Sequence, residues 1–153
     1  MMIKIALALG GNLGDVAGTF KLAAQKLAAA GMKNIKISSF HRTVPVSCAP
    51  GTPDFMNAAL IGEWTDTADE LFAVCQKIER ESGRAAAHGI NTPRTLDIDI
   101  ILFGDRIIKS DSLMIPHLRA AQRLFVIAPL AEIAPDMIFP DTGRKVSDIL
   151  KLL

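Results

Sequence analysis

The stretch at residues 93–105, PRTLDIDIILFGD, combines an apolar, strand-like run with two aspartates. Side chains alternate between the two faces of a strand, so Asp97 and Asp99 share one face, with Cα atoms roughly 6.5–7 Å apart. Ile98 and Ile100 are expected on the opposite face, in a core. Two adjacent carboxylates are costly to bury unpaired, and a divalent cation removes that cost. Oxygen ligands suit Mg²⁺, so the pattern predicts a magnesium site; solvated aspartates on an edge strand are the alternative.

Composition favours one globular domain spanning residues 1–153, with 50% hydrophobic and 22% charged residues. The formal net charge of +1 offers no polyanion-binding surface, so nucleic acid is not an expected partner. Any phosphate binding must then come from a local cluster of side chains. No apolar run approaches the roughly 20 residues of a membrane span, and no cleavage signal follows the first strand. A cytoplasmic protein without membrane contact is therefore expected.

Hydrophobic periodicity predicts an alternation of strands and helices along the chain. Strands are predicted over residues 2–9, 33–42, 54–64 and the aspartate-containing stretch, and helices over 16–30, 67–82, 118–131 and from 146 onward. Asp15 and Thr67 are suitable N-cap residues. The order β-α-β-β-α-β with a C-terminal extension predicts an α+β, ferredoxin-like fold, an antiparallel sheet with helices packed on one face.

Basic residues near the aspartates are candidates for phosphate binding. Arg94 comes three residues before Asp97, and a guanidinium matches the geometry of phosphate oxygens. His117 follows a proline at a predicted helix start, where it could donate to an anion or simply cap the helix. The other nearby arginines, for which solvated surface positions are the default, are Arg80, Arg84, Arg119 and Arg123.

Phe55 and Asn57 share one face of a predicted strand. An aromatic wall with an amide two residues further on can hold a flat heterocycle, because the ring stacks and the amide pairs with its edge. A core phenylalanine and a turn asparagine are the alternative. Together, the carboxylates, the arginines and this pair favour a phosphoryl-type transfer onto a small heterocycle.

Residues 93–104 also resemble the signature of the 6-hydroxymethyl-7,8-dihydropterin pyrophosphokinases. Similar motifs extend over nearly the whole chain, in the same order as in that family. They are GGNLGD at 10–15, FHRT at 40–43, PDFMNAA at 53–59, IE at 78–79, IPH at 115–117, RLFV at 123–126 and PLAEIAPD at 129–136. The ferredoxin-like fold of the family agrees with the element order predicted above.

The resemblance implies transfer of the β,γ-pyrophosphate of ATP to the hydroxymethyl group of the pterin, with release of AMP, in folate synthesis. It implies two Mg²⁺ ions on Asp97 and Asp99, with Arg94 as a third catalytic residue and Asp97 assisting deprotonation of the hydroxyl. ATP is the co-substrate, the pterin is the acceptor, and a monomer is expected. The implied nucleotide contacts are Gln76, Glu79, Arg84, Arg94, Ile100, His117 and Arg123. The implied pterin contacts are Thr43, Val46, Phe55, Asn57 and Phe125.

Departures from the family pattern lie in one loop, residues 82–92. Ile90, Asn91 and Thr92 stand where the family usually has an arginine, an aromatic or asparagine, and a glycine, and Ala86 stands where a second arginine is common. Weaker nucleotide binding or slower turnover is therefore expected. A non-catalytic pterin- or nucleotide-binding homologue with an altered ATP-closing loop is the alternative function. A regulatory domain is a third reading, since one fold serves many functions.

Overall fold

The computed structural model describes residues 2–44, 50–51, 53–83 and 96–153. The elements begin with the β-α-β-β-α-β series and continue into smaller hairpins and two further helices. In chain order they are β1 (Ile3–Gly11), α1 (Val16–Ala29), β2 (Lys33–Ile37), β3 (His41–Thr43), β4 (Phe55–Trp64), α2 (Ala68–Glu81), β5 (Asp97–Phe103), β6 (Ile108–Lys109), β7 (Met114–Ile115), a 3₁₀ helix (Ala120–Gln122), α3 (Leu124–Ile133), β8 (Ile138–Phe139), β9 (Arg144–Lys145) and α4 (Val146–Lys151).

The main sheet has the strand order β2-β4-β1-β5, and the short β3 also pairs with β4. Every neighbouring pair in this sheet is antiparallel. The central strand β1 places Leu7 opposite Leu60 of β4 on one side and opposite Ile100 of β5 on the other. This order confirms the predicted ferredoxin-like α+β fold.

Helices cover both faces of the sheet. Leu7, Leu60 and Ile100 pack with residues of α1 and α2 in one hydrophobic cluster. On the other face, Ala6 and Ala59 belong to a second cluster with residues of α3 and α4. The two helices of the β-α-β-β-α-β unit thus lie on one face, as predicted, and the C-terminal extension covers the face that they leave open.

A β-bulge in β5 changes the direction of its side chains. Leu102 pairs with Ala6 and Ile100 pairs with Leu7, so Ile101 is an extra residue with no partner of its own in the register. Such a bulge puts successive residues on the same face and increases the local twist. Ile101 and Leu102 therefore both join the cluster beneath α3, whereas Ile100 stays in the opposite one.

The single strand predicted over residues 33–42 is divided into β2 and β3. Between them, the backbone N–H of Ser38 donates to the carbonyl of Ala59, and the Ser38 hydroxyl accepts from the Ala59 N–H, each at 2.9 Å. A side-chain oxygen thus takes the position of a backbone carbonyl in the ladder. The registers of β2 and β3 against β4 differ by one residue, which frees the backbone at 39–40 to leave the sheet.

The helix predicted over residues 118–131 is shorter and begins later. A 3₁₀ helix precedes α3, and Pro129 lies inside α3 without dividing it. Pro129 has no N–H to donate to the carbonyl of Phe125, one turn earlier. Among the described residues, no helix combines the length and apolar character needed to cross a membrane.

The predicted N-caps are confirmed, and one of them gives a stability prediction. The Thr67 hydroxyl accepts from the backbone N–H of Glu70 at 3.1 Å, which satisfies a donor at the start of α2. Thr67→Ala should lower the free energy of unfolding by about 1 kcal/mol, measured by urea denaturation. Thr65→Ala, an exposed threonine outside the helix, should change it by less than about 0.5 kcal/mol. Equal effects of the two variants would contradict the capping role.

Candidate functional site

A cavity of about 540 Å³ opens where the start of β5, the start of β4, β3 and the first turn of α3 meet. Side chains from sequence positions far apart converge on it because antiparallel neighbours bring these strand ends to the same edge. The predicted site residues that line it are Thr43, Phe55, Asn57, Glu79, Asp97, Asp99, His117, Arg123 and Phe125.

The two aspartates of β5 lie on the cavity side of the sheet. Asp97 is half-buried, whereas the side chain of Asp99 is 50% exposed, with its Oδ1 4.0 Å from Nε2 of His117. The intervening Ile98 points into the core and donates its backbone N–H to Oε2 of Glu79 at 2.8 Å. Glu79 thereby fixes β5 to α2 between the two carboxylates, a role that the sequence did not predict.

The donor set around these carboxylates fits Mg²⁺ and does not fit a structural zinc site. Within residues 2–44, 50–51, 53–83 and 96–153, no group of three or more histidine, cysteine, aspartate or glutamate side chains is arranged to hold a metal. Structural zinc needs four such ligands. Mg²⁺ instead takes one or two carboxylates and completes its shell with water and substrate phosphates. Asp97 and Asp99 are the residues that could hold it.

The other half of the cavity is suited to a flat ring. The Asn57 Nδ2 group donates to the Thr43 hydroxyl at 2.9 Å, which fixes the orientation of the amide at the cavity wall. Phe55 and Phe125 contribute aromatic surface, and the Arg123 guanidinium lies 5.6 Å from the centroid of the Phe125 ring. A cation over a ring face at that distance stabilises the arrangement of both side chains.

A second cavity of about 350 Å³ adjoins the first and shares Asp99 and His117 with it. Its wall is mostly apolar and includes Ile100 and Phe72, together with polar residues of the β6–β7 hairpin. Ile100 thus reaches a cavity, although its face of β5 is otherwise in the core, and its predicted contact with the nucleotide stays a prediction. The Asp99–His117 pair lies where the two cavities meet.

Several predicted site residues are not part of either cavity or lie outside the described residues. Gln76 is exposed on α2 and lines neither cavity. Arg84, Arg94 and Val46 lie outside the described residues, as does the part of the altered loop at residues 84–92. Their roles stay predictions.

Other cavity residues were missed by sequence reasoning. Ile101 lies two residues after Asp99, so the strand period of two already places it on the face of the aspartates, and that period was the signal that could have found it. Val126 lines it as the neighbour of Phe125 in the first turn of α3. The helix was predicted to begin at residue 118, so Val126 was not expected in its first turn.

A larger cavity of about 660 Å³ lies at the opposite end of β1 and β4, beside the loop after α3. Its lining includes Lys4, Glu63 and Pro135, and it contains none of the predicted site residues. Apart from Gln76, the predicted site residues that the structure describes therefore line the two adjoining cavities.

Cys75 of α2 is buried beneath the site and should be chemically inert in the folded protein. Burial, followed by the negative charges of Glu79 and Asp99, raises the pKa of its thiol to about 12. Because the thiolate is the reactive form, Cys75 should resist alkylation at pH 8 and react in urea, as measured by peptide mass spectrometry. Equal labelling rates in the two conditions would contradict this burial.

The fold and the site together define a ferredoxin-like protein in which two aspartates of β5 line a cavity with aromatic walls, and one of them, Asp99, also lines a smaller, mostly apolar cavity. The model of the family described as 7,8-dihydro-6-hydroxymethylpterin-pyrophosphokinase matches residues 6–135. The chain therefore belongs to this pyrophosphokinase family.

Individual relatives agree with that membership. A 2-amino-4-hydroxy-6-hydroxymethyldihydropteridine pyrophosphokinase of Synechocystis sp. is 35% identical over 94% of this chain and 72% of its own length. The protein of the same name from Haemophilus influenzae is 34% identical over 98% of this chain and 92% of its own. A solved HPPK-DHPS structure from Plasmodium falciparum superposes with a TM-score of 0.75 at 13% identity, over 99% of this chain and 42% of that one. At that identity the superposition shows the fold alone.

Proposed function

We propose that the protein transfers the β,γ-pyrophosphate of ATP to the hydroxymethyl group of 6-hydroxymethyl-7,8-dihydropterin and releases AMP, as a step in folate biosynthesis. One observation carries the proposal for this chain: both aspartates of β5 line a cavity suited to a flat ring (the ring-binding cavity), and Asp99 lies where that cavity meets a smaller, mostly apolar one. Two substrates bound in the two cavities would meet at the carboxylates. Family membership supports the same reaction.

The pterin would occupy the larger of the two adjoining cavities. Phe55 and Phe125 would stack on the ring, and the Asn57 amide and Thr43 hydroxyl, already hydrogen-bonded to each other, would pair with its polar edge. Val46 is proposed as a further contact. A pterin bound in this way would direct its hydroxymethyl group toward the carboxylates, which line the same cavity.

The nucleotide would occupy the smaller cavity, with its triphosphate passing between the two. Ile100 and Phe72 provide apolar surface for the base. The proposed polar and charged contacts to the nucleotide are Gln76, Glu79, Arg84, Arg94, His117 and Arg123. Among them, His117 lines both cavities, so it would meet the phosphates at the point of transfer.

Asp97 and Asp99 would hold two Mg²⁺ ions, which, when bound, neutralise the charge of the triphosphate. The chain's own residues then act by positioning. Glu79 holds the Ile98 N–H, so β5 presents both carboxylates in one fixed geometry. The pterin hydroxyl oxygen forms a bond to the β-phosphorus, the bond from that phosphorus to the α,β-bridging oxygen breaks, and AMP leaves. Asp97 accepts the hydroxyl proton, with Arg94 contacting the phosphates.

A coupled assay of AMP release tests the proposed function. AMP should form only when ATP, Mg²⁺ and the hydroxymethyl pterin are all present, and omission of the pterin should abolish it. A folded protein that binds the pterin in a calorimeter but releases no AMP would exclude the proposal. A monomer is part of the proposal, and light scattering in solution would test it.

A further inference from the structure

A cluster of Ser39, His41 and Glu132 joins α3 to the segment between β2 and β3, outside both cavities. The backbone N–H of Ser39 donates to Glu132 Oε1 at 2.7 Å, and the Ser39 hydroxyl donates to Oε2 at 2.7 Å. Nε2 of His41 lies 3.0 Å from the same Oε2. Three contacts thus converge on one carboxylate from residues more than 90 positions away in the sequence.

The carboxylate form of Glu132 is strongly favoured in this environment. The Ser39 backbone N–H, followed by the His41 side chain and the Ser39 hydroxyl, lowers the pKa of Glu132 to about 2. Hydrogen bonds to a charged acceptor are about twice as strong as neutral ones. Glu132 can therefore accept the Ser39 hydrogen bonds as a charged carboxylate, which links α3 to the segment that follows β2.

The geometry of this cluster does not fit a hydrolytic triad. In a triad, the serine and the carboxylate approach opposite nitrogens of the histidine ring. Here the Ser39 hydroxyl and Glu132 Oε2 lie 3.4 Å and 3.0 Å from the same Nε2 atom, and the hydroxyl proton points to the carboxylate. The contacts instead suit a structural role, in which the cluster positions α3 against Ser39 and His41.

Both elements that the cluster joins carry walls of the ring-binding cavity. Phe125 and Glu132 are seven residues apart in α3, so they lie on the same face of the helix, about 10.5 Å apart along its axis. In the paired strands, His41 lies opposite Asn57, and Thr43 lies opposite Phe55. Glu132 thus belongs to the helix that carries Phe125, and His41 belongs to the strand that carries Thr43 and pairs with β4.

We propose that Glu132, with Ser39 and His41, is a positioning cluster that fixes the separation between Phe125 and the β3–β4 wall, and so sets the affinity for the pterin. The inference rests on the proposed function. The cluster touches neither cavity, so it acts through the placement of α3 and β3 and not through contact with substrate. Its loss should weaken binding of the ring while leaving the carboxylate pair on β5 in place.

Steady-state kinetics of Glu132→Gln test the proposal. The substitution keeps the side-chain volume but removes the charge and one acceptor, so KM for the pterin should rise roughly 5- to 30-fold. Because the aspartates on β5 do not depend on the cluster, kcat should stay within about twofold, and KM for ATP should rise less than KM for the pterin, since Arg123 is the one proposed nucleotide contact at the start of α3. Asp148→Asn, which removes an exposed carboxylate on α4, is the matched control and should change nothing. An unchanged KM for the pterin in an active enzyme would overturn the proposal.

Two further measurements separate this inference from the proposed function and from simple misfolding. Ser39→Ala added to Glu132→Gln should raise KM little beyond the single variant, because the residues act as one unit. Hydrogen exchange, which needs no turnover, should speed up in β3 and in α3 from Val126 onward, where the backbone N–H groups are hydrogen-bonded, and stay unchanged in α1. If the unsubstituted protein released no AMP, the proposed function would fail, and unchanged exchange in Glu132→Gln would still overturn the positioning role.

Discussion

Asp97→Asn should lower kcat by on the order of 10³-fold or more, with a much smaller change in KM for the pterin. The substitution preserves shape but removes one of the two negative charges that would hold Mg²⁺, and it also removes the proposed acceptor for the hydroxyl proton. Both losses act on the transition state, where charge builds up on the transferred group. Initial rates of AMP release over a range of Mg²⁺ concentrations measure the effect, and the apparent affinity for the metal should fall.

A control for Asp97→Asn lies in the turn that follows the same strand. Asp105 is exposed at the turn after β5, at the end of the strand away from the cavity. Asp105→Asn should leave kcat within about twofold of the unsubstituted protein. If Asp97→Asn retained full activity while folded, the carboxylate pair would not be the catalytic centre.

Phe125→Ala should raise KM for the pterin about 5- to 150-fold, because loss of one aromatic stacking partner costs roughly 1–3 kcal/mol. Phe125 is 37% exposed at the start of α3 and lines the ring-binding cavity, so its truncation leaves no buried void in the core. The folding stability should therefore change little, and the loss should appear in binding. Isothermal titration with the pterin and an unreactive ATP analogue measures it.

Leu124→Ala is the matched control for Phe125→Ala. Leu124 is the preceding residue, is 55% exposed, and is not among the residues lining the cavity. The two variants remove apolar surface from the same turn of α3, but only one faces the proposed ring site. Equal losses of pterin affinity would mean that the first turn of the helix matters for its conformation and not for stacking.

The strand period of two accounts for most of what the sequence predicted about the site. Asp97 with Asp99, and Phe55 with Asn57, were expected on shared faces, and all four side chains line one cavity. The element order predicted the ferredoxin-like sheet, because the helices between the strands restrict how β1, β4 and β5 can pair. Local patterns carry this information because each depends only on neighbouring residues.

Other features depend on contacts that local patterns do not encode. The β5 bulge adds one residue to a uniformly apolar run, and no residue type in that run distinguishes Ile101 as the extra residue. Ser38 interrupts a strand through a hydroxyl that bonds to Ala59, a residue that only the folded sheet brings near. Glu132 looks like an ordinary exposed helix residue until α3 docks against Ser39 and His41. Each of these features depends on contacts between segments that are distant in the sequence.

Identification of the reaction products by phosphorus NMR tests the central claim most directly. With ATP, Mg²⁺ and 6-hydroxymethyl-7,8-dihydropterin, the protein should form AMP and a pterin diphosphate in equal amounts, with no ADP. Two phosphorus resonances coupled to each other should then appear on the pterin product. Formation of ADP with a pterin monophosphate, or no phosphorylated pterin at all from folded protein, would contradict pyrophosphoryl transfer at this site.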